Sequence, residues 1–215
     1  MGKYKCVIFD CDGVLVDSEA LSNGVLAELA NEHGADLNLE SAIKLFKGGS
    51  VGSCISKIEK RIGKTLPESF ESDYRRISFE IFKTEMKAIE GVSEVLQQLE
   101  IPFCVASSGP EEKIRLNLGV TGLLNQFEGK IFSCYTINTW KPDPAVFLWA
   151  AKTMGFSPDE CLVIEDSFTG VTAAKAGGFD VFGFTQQDIY NELQGHATKT
   201  FNHMNQLLDL MYHRE

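Results

Sequence analysis

Two aspartates at the end of a short apolar run constrain this chain more than any other feature. Residues 6–9 are apolar and rich in β-branched and aromatic side chains, which predicts a buried strand. Asp10 and Asp12 follow it, and because side chains alternate along an extended chain, both carboxylates can leave on the same side. Neighbouring carboxylates repel each other unless a cation is bound, and Mg²⁺ prefers such oxygen ligands. The pattern predicts a magnesium site; the alternative is a polar turn after a strand.

Composition and charge narrow the class of protein. The chain has 215 residues, a net charge of −10 and 44% hydrophobic residues, which is enough for a sizeable core with an insertion. The acidic balance and the lack of a basic run argue against nucleic-acid binding, and no apolar run has membrane-spanning length or signal-peptide character. The six cysteines form no C-x-x-C pair. We therefore expect a reduced, cytoplasmic protein that acts as a monomer, without nucleic-acid or membrane partners.

The segment 19–86 carries helical periodicity and no strand pattern. Apolar residues recur every three to four positions in four predicted helices, which begin near residues 18, 39, 51 and 67. The first stops at Gly34, the third at Gly63, and the fourth begins at Pro67. We expect 19–86 to form a small helical domain inserted into a core domain made of 1–18 and 87–215.

Strand and helix patterns alternate after Gly91. The predicted strands are 103–107, 130–134, 161–165 and 181–184, and the predicted helices are 92–99, 111–118, 144–154 and 168–176. Such alternation indicates a parallel sheet covered by helices on both faces, an α/β fold. The tail, 188–215, has helix-like character, and 198–201 is a candidate edge strand.

Polar side chains follow the predicted strands where each one ends. Strand one ends in Asp10 and Asp12, the next in 107–109 (Ser-Ser-Gly), and a later one in 165–167 (Glu-Asp-Ser), while Lys141 lies on the loop after the third strand. Alone, each has an ordinary explanation as a turn, a helix cap or a solvated lysine. Ligand sites of open α/β sheets lie beyond the carboxyl ends of the strands. Their shared placement therefore predicts one functional site.

The same residues resemble the four motifs of the haloacid dehalogenase superfamily. Residues 10–18, Asp-Cys-Asp-Gly-Val-Leu-Val-Asp-Ser, match its first motif, and Ser107, Lys141 and the pair 165–166 match the other three in order. The resemblance covers nearly the whole chain. It implies a Rossmann-like core whose first strand lies between the second and fourth, with 19–86 as a helical cap of the C1 type.

The resemblance also implies a role for each motif residue. Asp10 is the expected nucleophile and Asp12 the expected general acid/base. Mg²⁺ is the expected cofactor, and its expected ligands are Asp10, the main-chain carbonyl of Asp12, Asp166 and Glu165, the last either directly or through water. The expected phosphoryl-binding and substrate-binding residues are Ser107, Ser108, Gly109, Lys141 and, from the cap, Lys47.

Differences within the superfamily point to a phosphatase. Its dehalogenases and phosphonate hydrolases lack the second aspartate, here Asp12. Its β-phosphoglucomutases carry a histidine and an arginine where this chain has Ser22 and Val51, although phosphoryl transfer of that kind stays an alternative. Further details, such as 88–91 (Ala-Ile-Glu-Gly) and 140–145 (Trp-Lys-Pro-Asp-Pro-Ala), resemble the bacterial 6-phosphogluconate phosphatases.

We expect Mg²⁺-dependent hydrolysis of a small phosphorylated metabolite, with 6-phosphogluconate as the best candidate. A catalytically silent sugar-phosphate-binding protein stays open. A receiver domain, which also collects aspartates at strand ends, is about half this length and has no helical insert.

Overall fold

A six-stranded parallel sheet forms the centre of the computed structural model, which describes residues 3–46, 49–188 and 190–212. The strands are β1 (Cys6–Phe9), β2 (Phe103–Ser107), β3 (Ile131–Ser133), β4 (Cys161–Glu165), β5 (Asp180–Phe184) and β6 (Lys199–Phe201). Their order is β3-β2-β1-β4-β5-β6. The predicted α/β fold is therefore confirmed, and β1 lies between β2 and β4, where the strand order reverses.

Helices cover both faces of this sheet. They are α5 (Val92–Gln98), α6 (Glu111–Val120), α7 (Leu124–Phe127), α8 (Cys134–Ile137), α9 (Ala145–Met154), α10 (Phe168–Ala176) and α11 (Leu207–Tyr212). Side-chain alternation along β1 divides the core: Val7 and Phe9 join one apolar cluster, while Cys6 and Ile8 join the other. Because β1 is buried on both faces, it is apolar throughout.

Within 19–86, the described residues form helices joined by turns and loops and contain no strand. The helices are α1 (Glu19–Glu32), α2 (Leu39–Phe46), α3 (Val51–Ile62) and α4 (Phe70–Glu85). They enclose a third apolar cluster whose members all come from 25–81. The two connections to the sheet run side by side, since Asp17 N donates to Lys87 O at 2.9 Å and Ile89 N donates to Leu15 O at 3.1 Å.

Some predicted boundaries were wrong. Helix α4 begins at Phe70 and not at Pro67, because Pro67 O accepts from Phe70 N in a turn and the first helical bond runs from Asp73 N to Ser69 O. The tail is mostly turns before α11, and the glycine at 195 has φ +80°. The candidate edge strand is confirmed as β6, which pairs in parallel with β5.

The structure also bears on the state of the cysteines and on the presence of membrane-spanning helices. All six cysteines are buried and carry free thiols, and three of them, Cys6, Cys104 and Cys161, lie in strands, where a thiol packs as a small apolar group. Within 3–46, 49–188 and 190–212, no helix has the length and apolar character needed to cross a membrane.

Candidate active site

A cleft lies between the carboxyl edge of the sheet and helices α1–α4. Strands β1, β2 and β4 end there, and an added Cβ on Gly109 would lie 3.5 Å from Ser107 Oγ and 3.8 Å from Asp12 Oδ2. The structure thus brings the motif residues of the core into one site. Those that line the cleft are Asp10, Asp12, Ser107, Ser108, Gly109, Lys141, Glu165 and Asp166.

Lys141 bridges two buried carboxylates at the base of the cleft. Its Nζ donates to Asp10 Oδ1 at 2.5 Å and to Glu165 Oε1 at 2.6 Å, and Asp10 is only 7% exposed. Burial raises the pKa of Asp10, Lys141 opposes this rise, and Glu165 and Asp12 add to it. The two carboxylates raise the pKa of Lys141 despite its burial. Lys141 is therefore a fixed cation beside an acid-rich site.

Asp12 has its own cation. Lys113, on α6, donates to Asp12 Oδ2 at 2.8 Å, while Ser18 Oγ donates to Oδ1 at 2.6 Å. Burial alone would raise the pKa of Asp12, but Lys113 and the hydrogen bonds hold it below its ordinary value. Asp12 is therefore a carboxylate in this arrangement.

The loop after β2 turns polar groups toward the same cleft. Ser107 Oγ accepts from Gly109 N at 3.1 Å, and Ser133 Oγ donates to Gly109 O at 2.6 Å. Lys141 Nζ also donates to the Ala106 carbonyl at 3.2 Å, which ties the loop after β3 to the end of β2. Ser107 and its neighbours are thereby fixed at the edge of the cleft.

Two glycines allow close approaches that no other residue would. An added Cβ on Gly13, where φ is +77°, would lie 2.4 Å from Asp166 Oδ2, and on Gly170 it would lie 1.8 Å from Glu165 Oε1. The first glycine brings the loop after β1 against Asp166, and the second leaves room for the Glu165 carboxylate beneath α10. The positions of Asp166 and Glu165 thus require glycine at 13 and at 170, respectively.

The donor set fits a magnesium ion. Asp10 and Asp166 follow neighbouring strands, because β1 and β4 pair with Phe9 opposite Ile164. Within the described residues there is no group of three or more His, Cys, Asp or Glu side chains that could hold a metal. Magnesium commonly takes only one or two carboxylates and completes its shell with water and substrate phosphate, so two carboxylates and a main-chain oxygen suit it.

Glu165 has a different environment from Asp166. Its Oε1 accepts from Lys141, and its Oε2 accepts from Ser167 N and Ser167 Oγ, both at 2.9 Å. A direct metal bond would displace one of these donors. The contacts favour Glu165 as the residue that holds Lys141 in place beside the predicted metal ligands.

The helical wall of the cleft adds residues that the motifs do not include. Ser22 and Val51 both line it, as does Arg75 of α4, which contacts Tyr135 of α8. Arg75, Tyr135 and Lys113 were missed in the sequence because their partners are distant in the chain. Lys47, the predicted cap contact, lies outside the described residues.

Comparison with known protein families identifies the family to which the sequence belongs. The sequence profile described as haloacid dehalogenase-like hydrolase matches residues 4–178, which include all four motifs. The chain belongs to this hydrolase family. The predicted resemblance is therefore confirmed over most of the chain.

Named relatives narrow the class of reaction. The chain is 35% identical over 211 residues to the 6-phosphogluconate phosphatase of Escherichia coli, covering 98% of this chain and 96% of that protein. It is 27% identical over 179 residues to the phosphorylated carbohydrates phosphatase of Thermotoga maritima, covering 82% of each. The crystal structure of a haloacid dehalogenase-like protein of unknown function from Agrobacterium tumefaciens aligns with a TM-score of 0.87, 29% identity and coverage of 96% and 97%. The chain is a phosphoric monoester hydrolase of this family.

Proposed function

We propose that this hydrolase is a Mg²⁺-dependent phosphatase that forms a phosphoryl-aspartate at Asp10 and acts on a small phospho-acid, with 6-phosphogluconate as the best candidate. The observation that carries the proposal is the contact of Asp10 with Lys141 at the carboxyl end of β1. An anionic nucleophile can attack an anionic phosphoryl group only where positive charge offsets their repulsion.

In the first half of the reaction, Asp10 attacks phosphorus. A bond forms between its carboxylate oxygen and phosphorus while the bond from phosphorus to the ester oxygen breaks, and that oxygen takes a proton from Asp12. Asp12 must enter this half protonated, and the negative charge of a bound phosphate, which raises the pKa of a neighbouring carboxyl group, favours that form.

The hydroxyl and main-chain N–H groups around Ser107 donate to the phosphoryl oxygens, while Lys141, whose Nζ already donates to Asp10, Glu165 and the Ala106 carbonyl, offsets their charge through its nearby positive charge. Bound to Asp10, the Asp12 carbonyl and Asp166, Mg²⁺ would offset further negative charge on the phosphoryl group.

In the second half, water cleaves the phosphoryl-aspartate. Asp12 accepts a proton from that water as it attacks phosphorus, which releases phosphate and restores the Asp10 carboxylate. The carboxylate form of Asp12, which Lys113 favours, suits this step. We propose that 19–86 is a cap domain that closes over the core and keeps bulk water from the intermediate.

A hydroxyl-rich leaving group fits the helical wall. The hydroxyl oxygens of Ser22 and Ser78 are buried at the cleft and form no hydrogen bond of normal geometry with described residues. Substrate hydroxyls would satisfy them, and a buried polar group left without a partner is costly. The E. coli and T. maritima relatives, named for 6-phosphogluconate and for phosphorylated carbohydrates, support the same substrate class. Lys47 is proposed to add positive charge at the mouth.

A screen for released phosphate tests the substrate. The purified chain with Mg²⁺ is expected to hydrolyse 6-phosphogluconate faster than glucose 6-phosphate, and to hydrolyse p-nitrophenyl phosphate. If a catalytically active preparation prefers glucose 6-phosphate, 6-phosphogluconate is the wrong substrate. If it hydrolyses none of a panel of sugar phosphates and small phospho-acids, the chain is instead a silent binding protein.

Removal of the metal is expected to stop turnover. EDTA should abolish phosphate release and excess Mg²⁺ should restore it, because acids outnumber cations around Asp10 on the core side of the cleft. Ca²⁺ should inhibit, since its larger and looser shell would misplace the nucleophile. Full activity after chelation and desalting would contradict a metal-dependent mechanism.

The alternative function, phosphoryl transfer of the mutase type, has a separate test. β-Glucose 1-phosphate is expected to give inorganic phosphate, if it reacts, and no glucose 6-phosphate. Ser22 and Val51 lie on the cleft wall, but a hydroxymethyl group has no imidazole pKa and an isopropyl group cannot bind a distal phosphate. A coupled glucose 6-phosphate assay checks this. Glucose 6-phosphate formed as fast as phosphate would favour the mutase.

A further inference from the structure

Arg75 is a charged residue of the cleft wall that the four motifs do not explain. It lies on α4, lines the cleft, and its side chain is 24% exposed. Its Nε and Nη2 donate to Glu71 Oε1 at 3.0 and 2.6 Å, and Nη2 also donates to Tyr135 Oη at 2.7 Å. The guanidinium carbon lies 5.4 Å from the centroid of the Tyr135 ring. These contacts fix the orientation of the guanidinium before any substrate binds.

One edge of this guanidinium is available to a ligand. Of its five N–H groups, those on Nε and Nη2 are directed to Glu71 and Tyr135, whereas Nη1 donates to none of the residues in 3–46, 49–188 and 190–212. A guanidinium held in place by its other donors loses little side-chain entropy when it binds a carboxylate. Arg75 therefore has both the donors and the preorganisation of an anion-binding residue.

The other two cations of the cleft, as far as the chain is described, are already committed to the catalytic acids. Lys141 bonds Asp10 and Glu165, and Lys113 bonds Asp12. Arg75 is the remaining cation on the described wall, and it comes from the helical side of the cleft rather than from the sheet edge that carries Asp10 and Asp12. A negative charge on the substrate, remote from its phosphate, would therefore meet Arg75.

We propose that Arg75 determines specificity by binding, through Nη1, a carboxylate at the end of the leaving group remote from the phosphate. The inference rests on the proposed phosphatase function and assigns the residue by which the enzyme would prefer phosphomonoesters of hydroxy acids over those of neutral polyols. Bonds from a guanidinium to a carboxylate are charge-assisted, whereas a neutral hydroxymethyl group offers a weaker acceptor.

Arg75 also has a purely structural explanation, in which it joins α4 to α8 through Tyr135. The two roles predict different results. If the role is structural, loss of Arg75 should weaken the binding of all substrates alike. If Arg75 determines specificity, its loss should weaken only the binding of substrates that carry the carboxylate.

Binding to a catalytically blocked enzyme separates these roles. 6-Phosphogluconate and glucitol 6-phosphate are both open chains and differ only at carbon 1, a carboxylate against a hydroxymethyl group. In the Asp10→Asn background with Mg²⁺, titration calorimetry should show about tenfold tighter binding of the acid, as one partly desolvated charge contact would give. Adding Arg75→Gln should make the two affinities nearly equal, chiefly by weakening the acid.

Two further variants complete the test. Arg76→Gln removes a charge of the same helix that pairs with Asp73 and is 67% exposed, so the preference should persist. Arg75→Lys keeps the positive charge but lacks the paired N–H donors of a guanidinium, so it should retain part of the preference for the acid.

The proposal would be overturned if the Asp10→Asn enzyme bound the two ligands equally, or if Arg75→Gln weakened the binding of both ligands equally. It would also be overturned if both Arg75 variants kept the full preference for the acid, or if only Lys47→Ala removed that preference. Failure of the unmutated enzyme to release phosphate would instead contradict the proposed function, because the binding measurement needs no turnover.

Discussion

Asp10→Asn is expected to abolish phosphate release while leaving the fold intact. The amide is uncharged and a poor nucleophile, so the loss should be roughly 10⁴-fold or more in kcat, as for other essential nucleophiles. The fold should persist because the amide oxygen can still accept from Lys141, and Lys141 keeps its contact with Glu165. Steady-state phosphate release, with circular dichroism of the same samples, measures both effects.

Asp159→Asn is the matched control for this substitution. Asp159 is exposed beside β4 and does not line the cleft, so the same chemical change should leave kcat within about twofold. A folded Asp10→Asn variant that retained substantial activity would rule out covalent catalysis at this residue.

Gly170→Ala should cause the second large loss of activity, although it changes no charged group. Its Cβ would lie 1.8 Å from Glu165 Oε1, and this carboxylate cannot move aside without losing its bonds to Lys141 or Ser167. Because Lys141 also bonds Asp10, the displacement reaches the proposed nucleophile. We expect kcat/KM to fall about 100-fold, the usual effect of a misplacement near 1 Å. Stability should fall by about 1–3 kcal/mol from overpacking, which exceeds the ~1 kcal/mol gained from helix propensity.

Gly24→Ala is the control that measures only the stability gained from the higher helix propensity of alanine. Gly24 lies inside α1, and an added Cβ there would meet nothing within 4 Å. This variant should keep its activity and gain about 0.5–1 kcal/mol in urea denaturation. Wild-type kinetics in Gly170→Ala would show that the position of Glu165 does not matter for catalysis.

The sheet edge could be predicted because its signals are local in sequence. β1 is a buried apolar run followed at once by Asp10 and Asp12, and β4 has the same form before Glu165 and Asp166. Parallel strands bring such ends together whatever the details of packing. The start of α4 was missed because proline favours the first helical position without fixing it, and here Pro67 belongs to the preceding turn.

The partners of these acids could not be predicted in the same way. Asp12 and Lys113 are 101 positions apart, and Arg75 and Tyr135 are 60 apart. Nothing in the pattern of α6 distinguishes Lys113 from a solvated lysine of an amphipathic helix, because its role depends on how α6 packs beside the end of β1. The same holds for Gly170, whose importance lies in a carboxylate that folds beneath its helix.

The central claim is that Asp10 carries the phosphoryl group between the two halves of the reaction. Asp12→Asn with p-nitrophenyl phosphate tests it, because p-nitrophenolate leaves without a proton whereas the intermediate still needs Asp12 to activate water. Stopped-flow absorbance should show a burst of about one p-nitrophenolate per folded chain, followed by slow turnover. Mass spectrometry of the acid-quenched protein should then place a phosphoryl group on the peptide that contains Asp10. The absence of both the burst and the modification, in a folded Asp12→Asn variant whose parent hydrolyses the same ester, would contradict the account.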